Sequence, residues 1–183
     1  MLYRFLTSTK LLLTILSLSL ILVAITLIYI ELALPNPQEL NYVKLQMPLK
    51  ILTADGKLMG VFGSKKRMPI SYDRIPVDLI HALIATEDQR YFQHRGIDLP
   101  GLIRASMQLL LTGHKEQGGS TITMQLARSF YLSSEKTFGR KIREILLALK
   151  IEHCVTKTKI LELYLNKIFL GNRAYGVVAA AEL

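Results

Sequence analysis

The chain has 183 residues, half of them hydrophobic and a fifth charged, with one cysteine and a net charge of +9. That composition excludes a disulfide framework. With no low-complexity tract or internal repeat it also excludes a disordered or solenoid chain, and leaves about 150 residues outside one long apolar run, enough for one domain with its own core. The positive balance suits nucleic acid, anionic lipid or a phosphate-bearing substrate, and composition alone does not choose among them.

Leu11 to Ile30 is apolar apart from Thr14, Ser17, Ser19, Thr26 and Tyr29. Twenty helical residues span about 30 Å, the thickness of a bilayer's hydrocarbon core. Arg4 and Lys10 precede the run and Glu31 follows it, so the N-terminus is expected to stay cytoplasmic and the rest to cross. A cleaved signal peptide would have a shorter apolar region followed by a small-x-small site. Here the run ends in Glu-Leu-Ala-Leu-Pro, and the reading is a cytoplasmic tail over 1–10 and an uncleaved transmembrane signal-anchor helix over 11–34. Such an anchor favours the lipid and phosphate partners over nucleic acid.

Residues 35–70 read as a linker, stiffened by Pro35 and Pro37, and a small β element. Its strand-like stretches lie between Leu49 and Phe62 around the turn signal Asp55-Gly56. From residue 71 to 183 the pattern is helical. Pro76 suits a first helical turn, and Ile80, Leu83, Ile84 and Glu87 then share a face. A second helix is predicted from about Pro100 to Leu111. Gly118-Gly119 breaks the chain before a helix that Ser120 can cap. Two more helices are predicted, Thr137 to His153 with an apolar stripe of Ile142, Ile145, Leu146 and Leu149, and Thr156 to Ile168, stopped by Gly171-Asn172. Ala179 to Leu183 begin another helix, which reads as a domain continuing past the last residue. Cys154, in an apolar helical pattern, reads as an inert core thiol.

Four constellations bear on chemistry. In Glu87-Asp88-Gln89-Arg90-Tyr91-Phe92-Gln93-His94-Arg95-Gly96-Ile97-Asp98, Glu87 ends an apolar stripe. Partial desolvation there would raise its pKa toward general-base range, while Asp88 points elsewhere and stays ionised; the plain alternative is a solvated helix end. His94 by itself reads as structural, and no metal-ligand spacing surrounds it. In Gly118-Gly119-Ser120-Thr121-Ile122-Thr123-Met124-Gln125, free N–H groups before a helix can hold an anion, or the segment is an ordinary turn and cap. In Arg140-Lys141-Ile142-Arg143-Glu144, a carboxylate shares a face with cations suited to a pyrophosphate, Arg128 and Lys136 adding to them; the alternative is a surface ion pair worth about 0.3–0.5 kcal/mol. Glu162 and Asn166 lie four apart on one helical face, as a polar pair buttressing a site or as a solvated face.

Singly these signals are weak, but their order and spacing resemble the glycosyltransferase family 51 domain of class A penicillin-binding proteins and monofunctional peptidoglycan glycosyltransferases, most nearly the 1A-type bifunctional members. Glu-Asp-x-x-Phe-x-x-His-x-Gly is matched from Glu87 to Gly96. Gly-Gly-Ser-Thr-Ile-Thr-Gln-Gln is matched from Gly118 to Gln125, with Met124 for the first Gln. Arg-Lys-x-x-Glu is Arg140 to Glu144, and Glu162, Tyr164 and Asn166 stand in the family's fourth motif.

The resemblance implies a mainly α, lysozyme-like glycosyltransferase domain, C-terminally truncated, with the small β element following the transmembrane helix. It implies a peptidoglycan glycosyltransferase that polymerises lipid II into glycan strands, with inversion and release of undecaprenyl pyrophosphate, in the inner membrane with the catalytic domain on its periplasmic side. Glu87 would be the general base. Arg128, Lys136, Arg140 and Lys141 would meet the leaving pyrophosphate, and Glu144 would orient those cations or a divalent ion such as Mg²⁺, although no cofactor is required. Asp88, Ser120, Thr121, Gln125 and Asn166 would contact or support substrate. The expected partners are lipid II, the growing glycan chain, the membrane and other cell-wall synthesis proteins, with no nucleic acid. The apolar helix Leu102 to Leu111 would dip into the membrane interface or pack in the core. The alternatives are a catalytically silent membrane-anchored scaffold and a lysozyme-like glycan-cleaving enzyme. The Gly-Gly-Ser-Thr and Arg-Lys-x-x-Glu motifs argue against the cleaving enzyme, because hydrolysis has no pyrophosphate to hold.

Overall fold

A computed structural model describes residues 2–63, 66–113, 118–133, 135 and 137–183. The chain forms two compact units, Met1–Pro35 and Asn36–Leu183. The first is one helix, α1 (Leu2–Ala33). Its stretch Leu12–Ile30, 19 residues, is long and apolar enough to cross a membrane.

The second unit opens with a 3₁₀ turn, Pro37–Asn41, capped by Asn36, whose side chain accepts from the amide of Gln38. Strands β1 (Leu49–Leu52) and β2 (Leu58–Phe62) form an antiparallel hairpin with an irregularity between Ile51 and Leu52. The turn falls at Asp55-Gly56 as its sequence predicts, Gly56 taking φ +82°. Short strand β3 (Lys66–Arg67) pairs in parallel with β4 (Ala174–Tyr175), a long-range contact with no sequence signal.

The rest is helical: α2 (Val77–Glu87), α3 (Leu99–Thr112), α4 (Ile122–Tyr131), α5 (Phe138–Cys154), α6 (Lys157–Lys167) and the short α7 (Val177–Ala181). The predicted boundaries hold to within a few residues. Threonines cap three of these helices: Thr121, Thr137 and Thr156 accept from the amides of Met124, Arg140 and Lys159. Thr121 therefore replaces Ser120 as the cap of α4. Pro76 sits just before α2 as its cap residue, outside the first turn.

The core lies where α4 packs on α5 and α6. Ile122, Met124, Leu126, Leu147, Ile151, Ile160, Leu161 and Leu165 are almost wholly buried there, and Leu40 of the 3₁₀ turn joins them. Met124 is thus a core side chain. Cys154 is half-buried at the end of α5, outside the core proper, and its carbonyl accepts from Asn41 at 3.2 Å.

One predicted face differs from the observed one, and on a second helix the structure favours one of the two readings. On α5 the buried face is Glu144, Leu147, Ala148 and Ile151, while Ile142 and Leu149 of the predicted stripe are exposed. The helix is rotated so that a carboxylate points inward. On α3, Leu99, Ile103, Met107, Leu110 and Leu111 are exposed, so this apolar stripe is not core packing. It borders an open groove of about 630 Å³.

Candidate active site

The site starts where α2 ends. Its C-terminus turns the two consecutive carboxylates apart. Glu87 lies exposed on the wall of a cleft of about 580 Å³. Asp88, the C-cap residue, is buried at 6% exposure. Of the two readings of Glu87, partly desolvated or at a solvated helix end, the structure shows the exposed one, and it is the neighbouring Asp88 that is buried.

Asp88 is held on two sides. His94 Nε2 lies 2.9 and 3.1 Å from its two oxygens, and the amide of Ile122 donates to Oδ2 at 3.0 Å. A carboxylate at the first residue of α4 satisfies an otherwise unpaired N–H and suits the positive end of the helix dipole. With Thr121 capping Met124, that N-terminus is filled by the protein's own groups. The free anion-holding amides expected after Gly118-Gly119 are not present at Ile122 and Met124. His94 is structural, as the residues suggest.

Thr121 is buried, and its hydroxyl donates to the carbonyl of Gly96 at 2.6 Å. Gly96 adopts φ +87°, and a Cβ there would lie 2.7 Å from the carbonyl oxygen of Ala148 on α5. The glycine ending the first motif thus lets the loop press against α5. Beside it Arg90 grips Asp98 at 2.5 and 3.3 Å on the cleft wall. Partial burial pushes the Asp98 carboxyl up, but the hydrogen bonds from Arg90 and the Gly101 amide, with the charges of Arg90 and His94, leave it below the ordinary carboxylate value.

From the other side α4 presents Gln125 and Arg128, one turn apart and both lining the cleft. Gln125 Nε2 donates to Glu87 Oε2 at 2.8 Å. Its Oε1 accepts from Tyr164 on α6 at 3.1 Å. Burial, with the nearby charge of Glu87 and against that of Arg128, pushes the Tyr164 phenol up to about 12.

The third group is a cation cluster around Glu144, which is 1% exposed. Arg140 pairs with its Oε1, and Lys141 donates to Oε2 at 3.1 Å. Arg128, nearly half exposed, approaches Oε1 at 3.9 Å. Lys141 also donates to Ser120 Oγ at 2.6 Å, which ties the cluster to the cleft wall. This is no surface ion pair: a buried carboxylate holds three cations that remain in net excess. Both Glu144 oxygens are occupied by those cations. Among the described residues no group of three or more His, Cys, Asp or Glu side chains could hold a metal ion.

Of the predicted site residues, Glu87, Asp88, Ser120, Thr121, Gln125 and Arg128 line one cleft. Lys141, Arg140 and Glu144 join it through Ser120 and Arg128. Lys136 lies outside the described residues. Asn166 is elsewhere: buried on α6, its amide donates to the carbonyls of Ile70 and Glu162, and its oxygen accepts from the amide of Ile70. Glu162 takes the amide of Tyr72. This pair clamps the 70–72 segment. Arg90, Asp98, Arg104 and Tyr164 are the additions. Arg90 lies inside the first motif and Asp98 two residues past its final glycine, and an Arg–Asp pair flanking that glycine was the available signal. Tyr164 stands in the fourth motif, but its contact with Gln125, like the place of Arg104 on the cleft, becomes legible only once the helices are packed.

Residues 55–183 match the family described as Transglycosylase, and the chain belongs to that family. It is 53% identical over 156 residues to penicillin-binding protein 1A of Pseudomonas aeruginosa, covering 85% of this chain and 19% of that protein. It is also 53% identical over 155 residues to penicillin-binding protein 1A of Escherichia coli, covering 85% of this chain and 18% of the relative. The match to the Neisseria lactamica protein of the same name is 47% over 150 residues, 82% of this chain and 19% of the relative. The chain spans less than a fifth of the length of these relatives.

Proposed function

We propose that the protein is a peptidoglycan glycosyltransferase that polymerises lipid II into glycan strands. One observation carries the reading: Glu87 stands in a polar cleft whose wall, through Arg128 and Ser120, leads to the cations gathered on Glu144. Family membership supplies the reaction class. A carboxylate that takes a proton and fixed cations that receive negative charge are the two requirements of glycosyl transfer from a lipid pyrophosphate.

In this reading Glu87 takes the proton of the acceptor's sugar hydroxyl as its oxygen bonds to the anomeric carbon of the lipid-linked chain. The bond from that carbon to the pyrophosphate oxygen breaks on the opposite face, with inversion. The electron pair leaves with undecaprenyl pyrophosphate, and Arg128 and Lys141 meet the growing charge, with Lys136 as a further candidate. Arg140 and Glu144 hold the cluster in place. Preorganised cations stabilise such charge without reorganising during the reaction.

The apolar face of α3 fits the substrate's lipid. Arg104 lines both the groove on that face and the catalytic cleft, so an apolar surface and a phosphate-suited one meet at one residue. α1 would hold the enzyme in the inner membrane, residues 1–10 in the cytoplasm, with the 71–183 domain on the periplasmic side and the 35–70 segment between. Other cell-wall synthesis proteins are the expected partners.

The test is polymerisation of labelled lipid II by the detergent-purified protein, with Glu87→Gln alongside. Glycan polymer from the wild type and a loss of about 10²-fold or more in the variant is the expected result. No polymer from a folded wild type overturns the assignment, and equal polymer from both moves the base elsewhere.

A further inference from the structure

Resting on Glu87 as the base, we infer that Tyr164 is a positioning residue for the transfer, acting through Gln125 to fix which oxygen of Glu87 faces the acceptor. Tyr164 does not line the cleft. It is buried at 4% exposure on α6, against the α4 helix that carries Gln125.

The direction of each link follows from donor and acceptor chemistry. An ionised carboxylate only accepts, so the amide nitrogen of Gln125 must face Glu87, at 2.8 Å from Oε2. That leaves the amide oxygen toward Tyr164, at 3.1 Å, and the phenol must donate to it. Burial pushes the phenol up to about 12, so near neutral pH it keeps its proton and donates. The chain Tyr164 to Gln125 to Glu87 therefore runs one way and cannot reverse without setting an amide oxygen against a carboxylate.

Glu87 is the last residue of α2 and exposed. An exposed glutamate samples several rotamers, and only some aim a lone pair at the acceptor hydroxyl. With Oε2 pinned by Gln125, Oε1 is left toward the cleft to take the proton. A positioned base gains its advantage through geometry, and here the geometry is referred to the rigid α4–α6 core. Gln125 without Tyr164 would keep its donor but lose the contact that fixes its own rotamer.

The experiment is a double-mutant cycle in the lipid II polymerisation assay, with thermal melting of each variant. Tyr164→Phe is expected to lower kcat about five- to tenfold with KM unchanged, the size of one hydrogen bond lost in a transition state. Gln125→Met is expected to lower it at least as far, and adding Tyr164→Phe to Gln125→Met to change it no further. A Tyr164→Phe enzyme with wild-type kcat overturns the inference, as does a rise in KM alone or losses that multiply in the double variant. Should Tyr164→Phe fail to fold, Gln125→Glu carries the test. A carboxylate there still accepts from Tyr164 but sets a like charge against Glu87 in place of a neutral donor, so kcat falls, and an unchanged kcat overturns the inference. Glu87→Gln separates the two levels: if it is inactive while Tyr164→Phe is unaffected, only the positioning role fails; if it remains active, the base assignment fails and the positioning role falls with it.

Discussion

The carboxylate of Asp88 accepts from the amide of Ile122 at 3.0 Å, across 34 residues of sequence. Through this bond the end of α2 is fixed to the start of α4, so Glu87, next to Asp88, and Gln125, one turn into α4, are held at hydrogen-bonding distance. Asp88→Asn keeps an oxygen for Ile122 but removes the charge that suits the helix terminus and His94. The expected loss is about 1.5–3 kcal/mol of stability, as for a hydrogen bond to a buried charge. Urea unfolding should show a lower midpoint with an unchanged slope, and polymerisation should fall with it.

Glu144→Gln leaves Arg140, Lys141 and Arg128 without their shared counter-charge. Breaking a buried pair by removing one member costs about 3–5 kcal/mol; here about 2–3 is expected, because Arg128 and Lys141 still reach water. Chemical denaturation measures this. On the proposed reaction, activity should fall beyond what the stability change explains, since the unpinned cations would no longer hold one geometry for a pyrophosphate.

Stability should also decline on the alkaline side. Burial pushes the Tyr164 phenol up to about 12 in the folded protein, against an ordinary value of 10.0. A folded pKa raised above the unfolded one means the stabilisation is fully present below pH 10 and is lost as pH rises toward 12. Tyr91, buried and near the charges of Glu152 and Asp88, is pushed up further and adds to the same decline. Tyr164→Phe should therefore make the fall in melting temperature between pH 10 and 12 shallower without abolishing it. An identical slope in both proteins would contradict the placement of the phenol.

Helix positions were legible because caps and apolar spacing are local signals: Thr137 and Thr156 begin α5 and α6. Which face turns inward was less so. Periodicity on α5 selects Ile142 and Leu149, yet the fold buries Glu144 and leaves both of those exposed. The pairing of Glu144 with Arg140 and Lys141 was legible from their i, i+4 and i, i+3 spacing, but a carboxylate is a poor core residue until cations surround it, and its burial, with Arg128 approaching from α4, was not. Most of the residues singled out by the ordered motifs lie on one cleft, but not Asn166, whose amide matches the peptide group of Ile70. Nor could spacing reveal that Tyr164 meets Gln125 39 residues away.

The exposed face of α3 yields a prediction that separates binding from folding. Ile103, Met107 and Leu110 are between 56% and 85% exposed, so replacing them with polar residues removes little core. Ile103→Ser with Leu110→Ser should leave the melting temperature nearly unchanged, within about 0.5 kcal/mol per surface site. If this face meets the lipid of the substrate or the bilayer around it, the same variant should raise the KM for lipid II several-fold with kcat nearly kept, the signature of lost uniform binding. Shortening the lipid should shrink the difference between variant and wild type, because the short tail no longer reaches the altered surface. A variant that melts many degrees lower would instead mean that these side chains are packed, and the groove beside them would lose its claim on the lipid.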